Sequence, residues 1–307
     1  MVCLLVPTQL APEPAPTLAL PANTVAILDH IYSGRRDLAL PEIHQLQEQQ
    51  PGQPLGYLLE AEEDWWRIWC VSAEFKYGMT MARHHKKVPS DEHYLELTTK
   101  AYNLAENKLQ QRNTADMHLY AAMADALAAR LYGLRAEYHA TAKAGVRARE
   151  NFLVALKMDP TLADAYTGLG LYNYYVDTLS VLAKAMRFLM GIPGGTKEEG
   201  FSQLERGMQE GQLSAILARF YLALNLFNYD QRYERALEVI TPLTEKYPKN
   251  PMFHLMCGDL NSKLGRKQAA ETCYDAAEKA VAEVPEPDCR AKIKELVGQS
   301  VQALEQK

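Results

Sequence analysis

The segment Gly191-Ile-Pro-Gly-Gly-Thr-Lys197 sets three glycines and a proline ahead of a lysine, a composition suited to cradling phosphate with backbone N–H groups. A phosphate loop needs a glycine directly before the lysine and a Ser or Thr directly after it. Thr196 and Glu198 hold those positions instead. The dinucleotide fingerprint needs a buried strand before its glycines, because strand end and helix N-terminus frame the pyrophosphate together. What precedes Gly191 therefore decides that reading.

Two further clusters have the right residue types. Arg83-His-His-Lys-Lys87 places two histidines among three cations; a metal ion would meet repulsion there, so the run reads as a solvated loop. Glu62, Glu63 and Asp64 are contiguous acids. General acid–base chemistry needs a buried carboxylate with a shifted proton affinity, whereas neighbours on a helix point in different directions, and these acids are expected to be solvated. No Ser/His/Asp or Cys/His arrangement is identifiable from spacing. The cysteines at 3, 70, 257, 273 and 289 are odd in number, without CxxC pairs or histidines at zinc spacing. They are expected to be small core residues, forming neither a disulfide framework nor a metal knuckle. The sequence thus predicts no catalytic residue, no cofactor and no metal.

The elements that would position any site follow from composition and period. At 307 residues and 48% hydrophobic, the chain can bury a large core as two ordinary domains or one elongated one. A formal net charge of −5 argues against a nucleic-acid partner, which rewards a clustered basic surface. No apolar run reaches the roughly 18 residues of a membrane-spanning helix. Residues 1–22 read either as a disordered leader or as the remnant of a signal peptide, since apolar Met1 to Ala11 leads into Pro-Glu-Pro-Ala-Pro. The second reading implies a periplasmic or envelope-associated protein, the first a cytoplasmic one.

From residue 23 onward apolar residues recur at intervals of three and four, the period of helices. Ala148, Phe152, Ala155 and Pro160 define a spacing that returns in Ala236, Ile240, Leu243, Pro248 and in Ala39, Ile43, Leu46, Pro51. Ala270, Tyr274 and Ala277 repeat it without the proline. Ten residues beyond each proline stands a small residue: Ala61, Gly170 and Gly258. This is the pattern of a helix-turn-helix unit of about 34 residues, in which small residues admit close helix approach and proline stops the second helix. It resembles the tetratricopeptide repeat (TPR). Stretched spacings place insertions near 69–92, 116–144 and 171–200, and Ile293, Leu296, Val297, Val301 and Leu304 mark 286–306 as a capping helix. The expected fold is all-α: a TPR-like superhelical solenoid of antiparallel helix pairs over 23–307.

The stretch Ala163 to Gly207, with its Gly-Leu-Gly-Leu-Tyr helix, apolar helix, Gly-Gly turn and second Gly-containing helix, resembles a bacterial group of TPR proteins. It is more distantly similar to eukaryotic mitochondrial outer-membrane TPR proteins. The resemblance supplies no catalytic residues and implies a scaffold whose first helices line a concave groove for a protein or peptide. Trp65, Trp69, Tyr174, Tyr221, Asn225 and Asn228 are the candidate partner-binding surface on that footing; aromatics at helical spacing more often pack between helices, and most of these clusters are expected to be core. Asn225 is preceded one turn earlier by Tyr221, which does not fit the lysine and asparagine clamp of chaperone-binding TPRs.

The segment 178–192 offers a second surface. Val181, Leu182, Ala185, Met186 and Leu189 share one face and Lys184 and Arg187 the other. A basic amphipathic helix of this kind lies on anionic membrane, which would make the protein an envelope-associated accessory factor; the favoured expectation is a core-packing helix with its charges in water. Gly191 then reads as the cap ending that helix and Thr196 as the N-cap of the next. With a helix ahead of the glycines, both phosphate readings lose their context.

Overall fold

A computed structural model describes residues 18–72 and 87–306. Residues 1–17, including Cys3, and positions 83–86 of the histidine-rich run lie outside the described residues. Among those described there are fourteen helices and no strand. The first seven are α1 (Thr24–Tyr32), α2 (Arg36–Gln49), α3 (Leu55–Ser72), α4 (Ser90–Gln111), α5 (Ala115–Leu134), α6 (Tyr138–Met158) and α7 (Asp164–Thr178). There follow α8 (Val181–Leu189), α9 (Lys197–Glu210), α10 (Ala215–Asn228), α11 (Tyr233–Lys246), α12 (Pro251–Lys263), α13 (Lys267–Val281) and α14 (Pro287–Glu305). Consecutive helices pack as neighbours, the arrangement of a helical-repeat solenoid.

The recurring spacing is a packing code. Ala39, Ile43 and Leu46 of α2 are buried, as are Ala148, Phe152 and Ala155 of α6, Ala236, Ile240 and Leu243 of α11, and Ala270, Tyr274 and Ala277 of α13. Each trio is the inner stripe of the second helix of a pair. Small residues on the facing helix let the backbones meet: a Cβ on Gly170 would stand 2.9 Å from the Gly200 carbonyl oxygen, and one on Gly200 2.9 Å from that of Gly170. No real side chain fits between α7 and α9 at that point. The turns within pairs also recur. Gly34, Ala136 and Gly265 have φ of 69°, 58° and 72°, and the next residue's N–H donates to the carbonyl five residues back at 2.9, 2.8 and 2.9 Å, a Schellman closure.

α7 pairs with α9, so α8 is an addition carried between the members of a pair. Gly191, with φ of 66°, ends α8 while Ile192 N–H donates to Arg187 O at 3.1 Å. Thr196 caps α9 by accepting from Glu199 N–H at 3.2 Å. The glycine loop is therefore a helix-to-helix turn. The orientation of α8 departs from the favoured expectation: its charged residues turn toward the body, and Val181, Phe188 and Leu189 turn toward solvent. Lys184 is drawn inward by Asp177, Nζ to Oδ1 2.7 Å, and Arg187 Nη1 donates to Ile192 O at 3.4 Å.

The superhelix closes on itself. α14 packs against α3 as well as α12 and α13, burying Ile293, Leu296, Val297 and Leu304. Tyr247 donates to Asp29 at 2.6 Å and Asn250 Nδ2 to Tyr32 O at 2.8 Å, each across 218 positions. Cys70 and Cys289 form a disulfide across this seam, and Cys257 and Cys273 form another between α12 and α13. The expectation of unpaired core cysteines is corrected: partners 219 and 16 residues apart carry no spacing motif and are brought together only by helix packing.

Candidate binding cleft

Closure makes α3 the central helix, buried along most of its length apart from the exposed Arg67. Trp66 meets Phe220 of α10 and Phe253 of α12 with ring centroids 5.1 and 6.0 Å apart, and Trp69 meets Tyr221 edge-on at 5.8 Å. The concave faces of early and late repeats are thus packed on one another.

This reassigns the residues expected to meet a partner. Trp65, Trp69, Tyr174, Tyr221 and Asn225 are each at most 1% exposed, and Asn228 is half-buried. Tyr174 donates to Asp230 at 2.5 Å, and Asn225 Oδ1 accepts from the Tyr175 hydroxyl at 3.1 Å. These side chains hold the interior together and offer no open surface. For Trp69 and Tyr221 the physical reason is the seam, where the inner aromatic row faces itself; Tyr174 is covered within its own neighbourhood by Phe201 and Tyr229, and Trp65 by Tyr94 and Arg130.

The acids of α3 are likewise corrected, being buried rather than solvated. A buried charge is tolerated when it has partners, and each of these has at least one. Glu60 accepts from Gln47 Nε2 at 2.6 Å, and its Oε1 lies 3.3 Å from Nε2 of His44. Glu63 pairs with Arg36. Asp64 lies 2.7 Å from Nδ1 of His93 and accepts from Arg36 at 3.1 Å. Glu62 accepts from Arg130 Nη2 at 2.7 Å and from Trp66 Nε1 at 3.0 Å. Contiguity did spread them to different directions, but each of these directions leads into protein, the exposed side of α3 being held by Arg67.

Beside this core the inner helices leave a cleft of about 700 Å³ of empty space, part of it open solvent. Leu28 and Tyr32 of α1, Leu55, Leu58 and Leu59 of α3, Met123 and Leu127 of α5, and Leu171 of α7 form its walls. Glu62 and Arg130 are the charged groups along it with Asp164. Burial opposes the charge on Arg130, but the Glu62 carboxylate together with Tyr94 and Tyr221 outweighs it, so the guanidinium proton is held more tightly than usual. Its plane lies over the Trp65 ring, 4.2 Å from the centroid, a favourable cation–π placement. Burial, reinforced by Glu62, raises the Tyr32 phenol well above its ordinary range.

Asp164, at the start of α7, ties down the far rim. One carboxylate oxygen accepts from Leu213 N–H at 2.9 Å and from both Ser214 N–H and Ser214 Oγ at 2.8 Å; the other accepts from Gln212 N–H at 3.2 Å. That fixes the turn leading into α10. Asp164 is thus committed to the turn and Glu62 to Arg130 and Trp66, whereas Nε and Nη1 of Arg130 are buried without a hydrogen bond; most of the lining is apolar. A second hollow of about 690 Å³, at the closing seam, is lined instead by charges, among them Arg36, Arg67, Lys249, Glu63 and Glu283.

Sequence reasoning did not single out Arg130 or the cleft. Arg130 sits in the alanine-rich α5, 68 positions from Glu62, and no periodicity relates the two. Among the described residues no group of His, Cys, Asp and Glu is arranged to hold a metal ion, and no helix is long and apolar enough to cross a membrane. No family model matches the chain, and no curated protein shows significant similarity to it.

Proposed function

We propose that the chain is a non-catalytic protein-interaction scaffold, a TPR-like solenoid that takes an apolar segment of a partner polypeptide into the cleft between α1, α3, α5 and α7. The observation that carries this reading is the cleft itself: concave, walled by leucines and methionine, and framed by rigid helices. Such a site suits one or two large apolar side chains of a peptide. The Glu62–Arg130 bridge supports it by fixing α3 to α5 at the cleft's edge. Two disulfides support an oxidising compartment, where such bonds persist.

Random-peptide display against the full chain, repeated with Ala126→Trp, tests the reading, because Ala126 is a half-buried residue of the cleft wall. Peptides with a large apolar anchor should be enriched by the wild type and rejected by Ala126→Trp at an unchanged melting temperature. Enrichment indifferent to that substitution, or none at all, would remove the cleft as the binding site.

A further inference from the structure

α8 is built inside out relative to a core-packing helix. Val181, Phe188 and Leu189 are 87%, 80% and 77% exposed, and Met190 and Leu179 at its ends are exposed as well. Val181, Ala185, Phe188 and Leu189 fall along one side of the helix, and that side faces solvent. Behind it lie Lys184 and Arg187, held by Asp177 and by the carbonyl of Ile192. α8 makes no extended packing with any other helix.

The occupant follows from shape and charge. The five exposed apolar side chains form a ridge of on the order of 600 Å², below the roughly 800 Å² per partner that a stable protein interface buries. A bilayer needs no matching groove, and admits such a ridge to a depth of about 5–10 Å. Residues 178–196 contain two cations and no acid, although the whole chain carries −5; Lys184 is paired with Asp177 just before them, and Arg187 has no acidic partner among the described residues. Seating the ridge in lipid would bring Arg187 to the height of the phosphates. We propose that α8 is a membrane-docking ridge for the interface of an anionic bilayer, independent of the cleft.

Flotation of the full chain with phosphatidylcholine vesicles containing phosphatidylglycerol, and with phosphatidylcholine vesicles alone, tests this. The wild type should float with the anionic vesicles and more weakly with the neutral ones. Phe188→Ser with Leu189→Ser should reduce binding on the order of tenfold or more, with the melting temperature preserved because both side chains are exposed. Failure of the wild type to float with either vesicle overturns the proposal, as does flotation unchanged by the double substitution. Equal binding to neutral vesicles overturns its electrostatic part. A wild-type dimer that the double substitution converts to monomer, without vesicle binding, would assign the ridge to a second copy of the chain.

Discussion

The α-carbons of Cys70 and Cys289 stand 5.4 Å apart although 219 positions separate them. The bond between them joins α3 to α14 and covalently closes the superhelix. Because it encloses most of the chain, it restricts the unfolded ensemble more than a local bridge would. Replacing both residues by Ser is expected to lower stability by about 2–5 kcal/mol, read as a shifted urea midpoint. Wild type under reductant should lose at least as much, because the Cys257–Cys273 bond is reduced as well, and non-reducing peptide mapping should recover the 70–289 cross-link.

Arg130 and Glu62 form an ion pair with both side chains almost fully buried. Removing one partner strands the other's charge. Arg130→Met is expected to cost about 3–5 kcal/mol, whereas Arg130→Met combined with Glu62→Gln should cost less than the single change. A double-mutant cycle measures the coupling; additive costs would show that the pair does not act as a unit.

Alkaline pH should unfold the protein through its tyrosines. Burial raises the phenols of Tyr94, Tyr120 and Tyr221 above the ordinary range, and burial with the hydrogen-bonded Asp29 does the same for Tyr247. An unfolded chain releases these protons near pH 10, while the folded chain keeps them. The native state then binds more protons, so stability is fully present below about pH 10 and falls above it, by roughly 1.4 kcal/mol per pH unit for each such tyrosine. Tyrosinate absorbance should appear together with the loss of helical circular dichroism. Smooth titration of these phenols in a chain that stays helical would contradict their burial.

Ala136 occupies the left-handed turn position that glycine fills at 34 and 265. The conformation costs an L-residue roughly 1–2 kcal/mol. Ala136→Gly should accordingly raise stability by about 1 kcal/mol after glycine's greater unfolded-state entropy is counted; thermal unfolding decides it.

The helical class was legible because each second helix repeats one stripe, such as Ala236, Ile240 and Leu243, and because Gly170 and Gly258 sit where helices must touch. Local chemistry was legible too, in Thr196 as a cap and Gly191 as a helix end. Curvature was not. Whether the inner aromatic row meets solvent or its own far end depends on the summed rotation of many helix pairs, which no single residue encodes. Trp69 and Tyr221 were consequently read as candidate surface, Cys70 as unpaired, and Glu62 as solvated. For α8 the period was right and the facing wrong, since amphipathicity names two faces without saying which one the tether turns outward.

The most direct measurement of the central claim is site-specific photo-crosslinking of a display-selected peptide. A photoreactive residue at Met123 of α5 or Leu217 of α10, both lining the cleft, should capture the peptide at its apolar anchor, and one at the exposed Glu245 of α11 should not. Capture at Glu245 alone, or at none of the three by a peptide that still binds, would contradict binding inside the closed superhelix.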